Sequence, residues 1–197
     1  MTRVLGLAGS PRRRGNTETL LDTFLEGAAA AGAEVEKVAV AELQIEPCVE
    51  CDSCWQDGRC VTEDGYQELC EKLVAADVIA VASPVYFWSV PAQLKVVIDR
   101  SQCQWVRKQV LGASLPPTDE GRHRRRGVFL SVGGQPNQDF GCIIKTVSSF
   151  FELYEADNWG QVVHEKVDAK GEVEDLPGTL RAGFEMGQRA VTEEWRT

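Results

Sequence analysis

The chain has 197 residues, 43% of them hydrophobic, and 30 acidic against 21 Lys and Arg residues leave a formal charge of −9. That length suits one domain with a full core. The acidic balance argues against nucleic acid as the main partner, and no apolar run is long enough to span a membrane. An opening apolar stretch too short and Gly-rich for a signal peptide, with 7 cysteines in a chain far longer than a disulfide scaffold, points to a reducing cytoplasm.

Extended and helical patterns alternate along the chain. Val4–Ala8 reads as a strand, and Thr17–Ala31 as a helix with Leu20, Leu21, Phe24, Leu25 and Ala28 on one face. Glu34–Val40 is the second strand and Tyr66–Ala75 the second helix. Val78–Ala82 is apolar on both faces, as a strand covered by helices on both sides should be. The helix Pro91–Cys103, the strand Val128–Val132, the helix Gly141–Tyr154, the weaker strand Asn158–His164 and the helix Thr179–Trp195 complete the series. Five strands alternating with five helices predict a flavodoxin-like doubly wound parallel sheet in the order 2-1-3-4-5, with helices on both faces. No repeat or linker divides the pattern, so residues 1–197 read as a single domain with a Cys-rich insertion around residues 45–62. Two long irregular stretches, Gln44–Gly65 and Trp105–Arg126, interrupt the alternation, and loops of that length are usually functional or mobile.

The turn between the first strand and helix, GSPRRRGNT, gathers anion-binding chemistry. Ser10 and Thr17 offer hydroxyls, Arg12 to Arg14 offer charge-assisted donors, and Gly15 and Asn16 bring the backbone to a helix N-terminus. Two well-known phosphate loops do not fit. Gly9 and Gly15 are separated by five residues, where a P-loop has four, and no Lys follows, so this is not a P-loop; Gly6 and Gly9 have the wrong spacing for a dinucleotide fingerprint. In the predicted topology, chain order reverses between strands 1 and 3, which puts the crevice between this loop and SPVYFWSV (Ser83–Val90). Pro84, Tyr86, Phe87 and Trp88 beside a dianion cradle suit a flat heteroaromatic ligand. Gly133 and Gly134, after the fourth strand, allow a close backbone approach. A flavin mononucleotide (FMN) meets all three requirements.

GSPRRRGNTETLL, PCVECDSCWQDGRC and ADVIAVASPVYFWSVPAQLKVVIDR, in that order, resemble the flavodoxin-like NADPH-dependent FMN reductase and iron–sulfur flavoprotein family over roughly Arg3 to Gly134. The resemblance implies FMN, with its phosphate on Ser10, Arg12, Gly15, Asn16 and Thr17. It borders the isoalloxazine with Pro84, Val85, Tyr86 and Phe87 on one side and Gly133 and Gly134 on the other. It also implies a homodimer or homotetramer.

Cys48, Cys51, Cys54 and Cys60 form C-x2-C-x2-C-x5-C. The run is close to the ferredoxin ligand pattern, but its last spacing is longer and Val61 replaces the expected Pro. A structural zinc site pairs two such knuckles across a longer insert. In the family it resembles, a motif of this kind binds one [4Fe–4S] cluster in some members and none in others. A cluster on four thiolates and an iron-free loop with redox-active thiols therefore both stay open. Cys70, Cys103 and Cys142, on helical patterns, are read as core residues, and Asp99 and Arg100 as a salt bridge or interface pair. The basic run Arg122–Arg126, with His123, is read as a solvated loop rather than an anchor for the 2′-phosphate of NADPH, and His164 as structural.

The leading expectation is an FMN-dependent oxidoreductase passing electrons from NAD(P)H to a small acceptor such as a quinone, another flavin or a metal ion, with flavin N5 carrying the chemistry. The alternative is an electron carrier exchanging electrons between ferredoxin and FMN through the cluster. A thiol-based redox sensor is a third reading.

Overall fold

The computed structural model describes residues 1–195. Five parallel strands, β1 (Arg3–Ala8), β2 (Glu34–Ala39), β3 (Val78–Ala82), β4 (Arg125–Gly133) and β5 (Ala156–Glu165), form one flavodoxin-like sheet in the order β2-β1-β3-β4-β5. The helices are α1 (Asn16–Ala30), α2 (Gly65–Ala75), α3 (Ala92–Arg100), the single turn α4 (Gln102–Trp105), α5 (Gly141–Leu153) and α6 (Pro177–Thr192).

Strand periodicity sorts the core into two layers. Leu5, Leu7, Ile79, Val81 and Phe129 point to one face and pack against Leu69 and Leu73 of α2, Leu94 and Val97 of α3, and Val147 and Phe150 of α5. Val4, Ala8, Val78, Ala80, Val128 and Leu130 point the other way, onto Leu20, Leu21 and Phe24 of α1 and Ala190 of α6. α1 and α6 cross at near backbone contact. A Cβ at Gly27 would collide with the Phe184 carbonyl, and one at Gly187 with the Phe24 carbonyl, so only glycine fits either position. No helix among the described residues is long and apolar enough to cross a membrane.

Most of the expected elements lie within a residue or two of their positions, and the exceptions have physical causes. β4 starts three residues before Val128 because Arg125 and Arg126, expected in a solvated loop, are buried in the sheet at 0% and 4% exposure. Arg126 donates to the carbonyls of Ala190, Glu193 and Glu194, and its guanidinium lies 4.0 Å from the Trp195 ring and 5.0 Å from Trp159. It caps the last carbonyls of α6, which no intrahelical donor can reach. Arg125 donates to Val74 and Pro116 carbonyls on the opposite face, and Arg122 pairs with buried Asp77. The stretch after α3 is helical longer than expected, through α4 and a π-type turn at Val106–Val110. Asp99 and Arg100 do not pair with each other. Asp99 meets Lys95, and Arg100 meets Asp64.

Candidate functional site

The C-terminal ends of β1, β3 and β4 open onto a cleft at the point where strand order reverses. Its floor is the β1–α1 turn. Gly15 is the N-cap of α1 and brings no capping side chain, so the first-turn N–H groups keep their positive end toward the cleft. Ser10, Arg12, Gly15, Asn16 and Thr17 all line it. Ser10 Oγ accepts the Arg12 N–H at 3.1 Å, and a Cβ at Gly15 would press on the Arg12 carbonyl at 3.0 Å.

The three arginines of the turn divide their work. Arg12 is exposed at the cleft, with Nη1 donating to the Asp168 carbonyl at 3.2 Å. Arg13, expected as an anion donor, is committed elsewhere: Nε and Nη2 donate to buried Glu18, and Nη1 meets Glu42. Arg14 takes the left-handed conformation at φ 53°, and its N–H donates to Glu18 at 2.7 Å. Glu18 thus gathers Arg13, the Arg14 N–H and Lys37, and Arg13 is the main reason its carboxyl is held down at about 2. Asn16 also has a different job from the expected one. Its amide donates to the Ala169 carbonyl at 2.8 Å and accepts the Gly171 N–H at 2.9 Å, which leaves its backbone N–H for an anion.

Pro84, Val85 and Tyr86 form one wall, Val132 and Gly134 another. Phe87 and Gly133 do not line the cleft. Tyr86 and Ser89 bridge a two-residue hairpin turn whose corners, Phe87 and Trp88, sit at φ 47° and 67°. Phe87 therefore points away into solvent, 99% exposed. Gly133 is buried, and a Cβ there would strike the Gln138 side chain. Val167 and Asp168, after β5, supply a wall that the sequence reading missed. They reach the cleft because Arg12 and Asn16 tie the 168–171 backbone to the first loop across more than 150 residues of chain, and no local sequence signal marks that contact.

The family model of NADPH-dependent FMN reductase matches residues 2–153. An iron-sulfur flavoprotein of Methanocaldococcus jannaschii is 41% identical over 152 residues, 77% of this chain and 72% of its own length. One from Methanosarcina thermophila is 35% identical over 152 residues, 77% and 74% of the two chains. The chain belongs to the NADPH-dependent FMN reductase and iron–sulfur flavoprotein family. Among solved structures, an NAD(P)H:quinone oxidoreductase from Methanothermobacter marburgensis superimposes with TM-score 0.71 at 18% identity, covering 98% of this chain and 99% of that one. An azoreductase from Bacillus anthracis gives 0.65 at 18% identity, covering 98% and 100%. These two likenesses speak for the fold. Family membership makes the chain a flavin-dependent oxidoreductase.

The cysteine motif of this family member lies between β2 and α2. Cys48 and Cys51 are exposed, Cys54 and Cys60 half-buried. Glu50 and Asp52, at φ 51° and 59°, fold the loop back on either side of Cys51. Among the described residues, no three Cys, His, Asp or Glu side chains already meet in a geometry that would ligate an ion. The four sulfurs are nonetheless within electrostatic reach of one another. The Cys54 thiol is pushed up by burial first and then by Cys60, Cys48 and Cys51. Hydrogen bonding from Ser53 pulls Cys51 down. Four soft thiolate donors on one 13-residue loop suit an iron–sulfur cluster, which would also offset their mutual repulsion. Trp55 packs edge-on against Trp105, with centroids 6.4 Å apart.

The remaining cysteines differ from one another. Cys103 is buried beside the Tyr66 hydroxyl, and burial raises its thiol to about 11. Cys70 is half-buried within reach of Gln104 and Tyr154. Cys142, expected in the core, is exposed in the first turn of α5. His164 Nδ1 lies 3.1 Å from the Thr179 hydroxyl and takes no part in the cleft.

Proposed function

We propose that this chain holds FMN in the switch-point cleft, takes electrons from NAD(P)H and passes them to a small acceptor such as a quinone, a second flavin or a metal ion. The observation that carries the reading is the uncapped N-terminus of α1, opening beside Ser10, Arg12 and Thr17 into a cleft whose far wall is Pro84, Val85 and Tyr86. Backbone N–H groups and an arginine suit the phosphate dianion, and the apolar wall suits the planar ring. Gly134 keeps the third side open, because a Cβ there would contact the Asp168 side chain at 3.0 Å. FMN, when bound, supplies hydride acceptance and electron release. The chain's own residues bind the phosphate, orient the ring and exclude water from one face, and none needs to act as an acid or a base. Anaerobic titration of the FMN-loaded protein tests the reading: NADH or NADPH should bleach the flavin bands, and bands that persist with both would sink it.

The four-cysteine loop favours a second reading, in which Cys48, Cys51, Cys54 and Cys60 hold a [4Fe–4S] cluster and ferredoxin is the electron partner. Anaerobic preparation followed by iron and labile sulfide assays decides it. About four of each per chain supports the cluster, and their absence leaves the first reading standing alone. Either activity is proposed for a homodimer or homotetramer, which light scattering would reveal.

A further inference from the structure

Arg100, the last residue of α3, is among the most deeply buried large side chains of the protein, with its side chain 1% exposed. It takes no part in the cleft. Its guanidinium reaches both ends of the cysteine loop instead. Nη1 donates to the Glu46 carbonyl at 2.8 Å, two residues before Cys48, and to the Asp64 carboxylate at 2.5 Å. Nη2 donates to the Thr62 carbonyl at 2.9 Å, two residues after Cys60. The Tyr66 ring lies 4.9 Å from the guanidinium carbon and closes one side. Among the described residues, Nε is left buried with no partner. A buried N–H normally finds an acceptor, so an unmatched one beside a ligand loop marks where an acceptor belongs. Cys60 is the cysteine of the loop nearest in sequence to the Thr62 carbonyl that Nη2 holds. The Asp64 carboxylate shares Nη1 with the Glu46 carbonyl and so leaves the Nε edge available.

We propose that Arg100 is the positioning residue of the four-cysteine loop: its two Nη groups clasp the loop's ends together, and its Nε–H is held for the sulfur of Cys60. The inference rests on the reading of that loop as a cluster site. One-electron reduction adds a negative charge to a cluster, and a cationic N–H donor at a ligand sulfur favours the reduced form. Arg100 therefore makes a cluster bound here easier to reduce. Lys could keep the charge but not the fork that spans Glu46, Thr62 and Asp64.

The test compares the wild type with Arg100→Lys, Arg100→Met and the double variant Arg100→Met/Asp64→Asn, which removes both buried charges should the single Met variant fail to fold. Iron and sulfide content of the wild type tests the cluster reading by itself. In loaded proteins, spectroelectrochemical titration should find reduction at least tenfold less favourable in the Met variants, a midpoint about 59 mV lower for one electron, with Arg100→Lys in between. An unchanged midpoint in a fully loaded, folded Met variant overturns the sulfur contact. Hydrogen exchange of iron-free protein tests the clasp, whether or not a cluster binds. Amides from residues 46 to 63 should lose protection in the Met variants while those of β1, β3 and β4 keep theirs, and unchanged exchange in the loop overturns it. A wild type that takes up no iron overturns the tuning role along with the cluster reading, and exchange alone then judges the clasp.

Discussion

The loop after β1 and the loop before α2 both present groups to an expected ligand, yet they are stabilised in opposite ways. The first is hydrogen-bonded from within and from behind: Ser10 to Arg12, Glu18 to Arg13 and Arg14, and Asn16 to the 169–171 backbone. Its donors are backbone N–H groups that helix formation leaves unpaired in any case, so an anion site can stand ready before its anion arrives. The cysteine loop is fastened at its ends by Arg100 and the Asp64 cap, while Cys48 and Cys51 lie in solvent. Thiolates repel one another, so a set of four converges only when a metal offsets their charge. A phosphate cradle is pre-formed by the fold, whereas a thiolate cradle is completed by what it binds.

Four substitutions would break or sharpen that contrast. On the cluster reading, Cys54→Ser should have the largest effect, an all-or-none loss of iron and sulfide with flavin per chain unchanged. Loss of both together, measured by metal analysis and absorbance, would show that the two loops are not separate sites. Arg12→Glu should weaken FMN retention about 100-fold, ~2.8 kcal/mol, because it replaces a cation facing the cleft by an anion, and it should leave iron content alone. A variant that still purifies with full flavin occupancy would displace the phosphate from this loop.

Glu18→Gln attacks the pre-formed character itself. With its carboxyl at about 2 in the fold against an ordinary 4.5, Glu18 stabilises fully above pH 4.5, and that contribution fades as pH falls toward 2. Denaturant unfolding should find the Gln variant about 2–3 kcal/mol less stable at neutral pH, with a flatter profile between pH 4.5 and 2. Equal pH slopes in the two proteins would mean that Glu18 is not what holds the loop. The smallest effect belongs to Phe87→Gly. A fully exposed aromatic at φ 47° gains nothing from burial, so the change should stabilise the fold by about 1 kcal/mol, read as a higher Tm. A fall in Tm would mean that the ring has a contact after all.

The strands and helices were legible because their apolar residues repeat with clear periods, and Val78–Ala82 matches its expected bounds to the residue. The cleft was legible through topology, since Ser10, Arg12, Thr17, Pro84 and Tyr86 stand in loops that strand order brings together. Residues whose roles depend on distant partners were not legible. Arg13 and Arg12 look alike in sequence and differ only in that Glu18 and Glu42 lie beside one of them. Arg125 and Arg126 read as surface charge until the helix-end carbonyls they cap are in place.

By itself, the sequence determined the alternation, the order of its motifs and hence the position of the crevice, because hydrophobic period and loop chemistry are local properties. Tertiary structure decided which polar groups remain free. A donor turned inward toward a carboxylate, as in Arg13, or bridging the two ends of a loop, as in Arg100, is assigned by neighbours far along the chain. Burial makes such partnerships obligatory, since a charge removed from water must be matched within the fold.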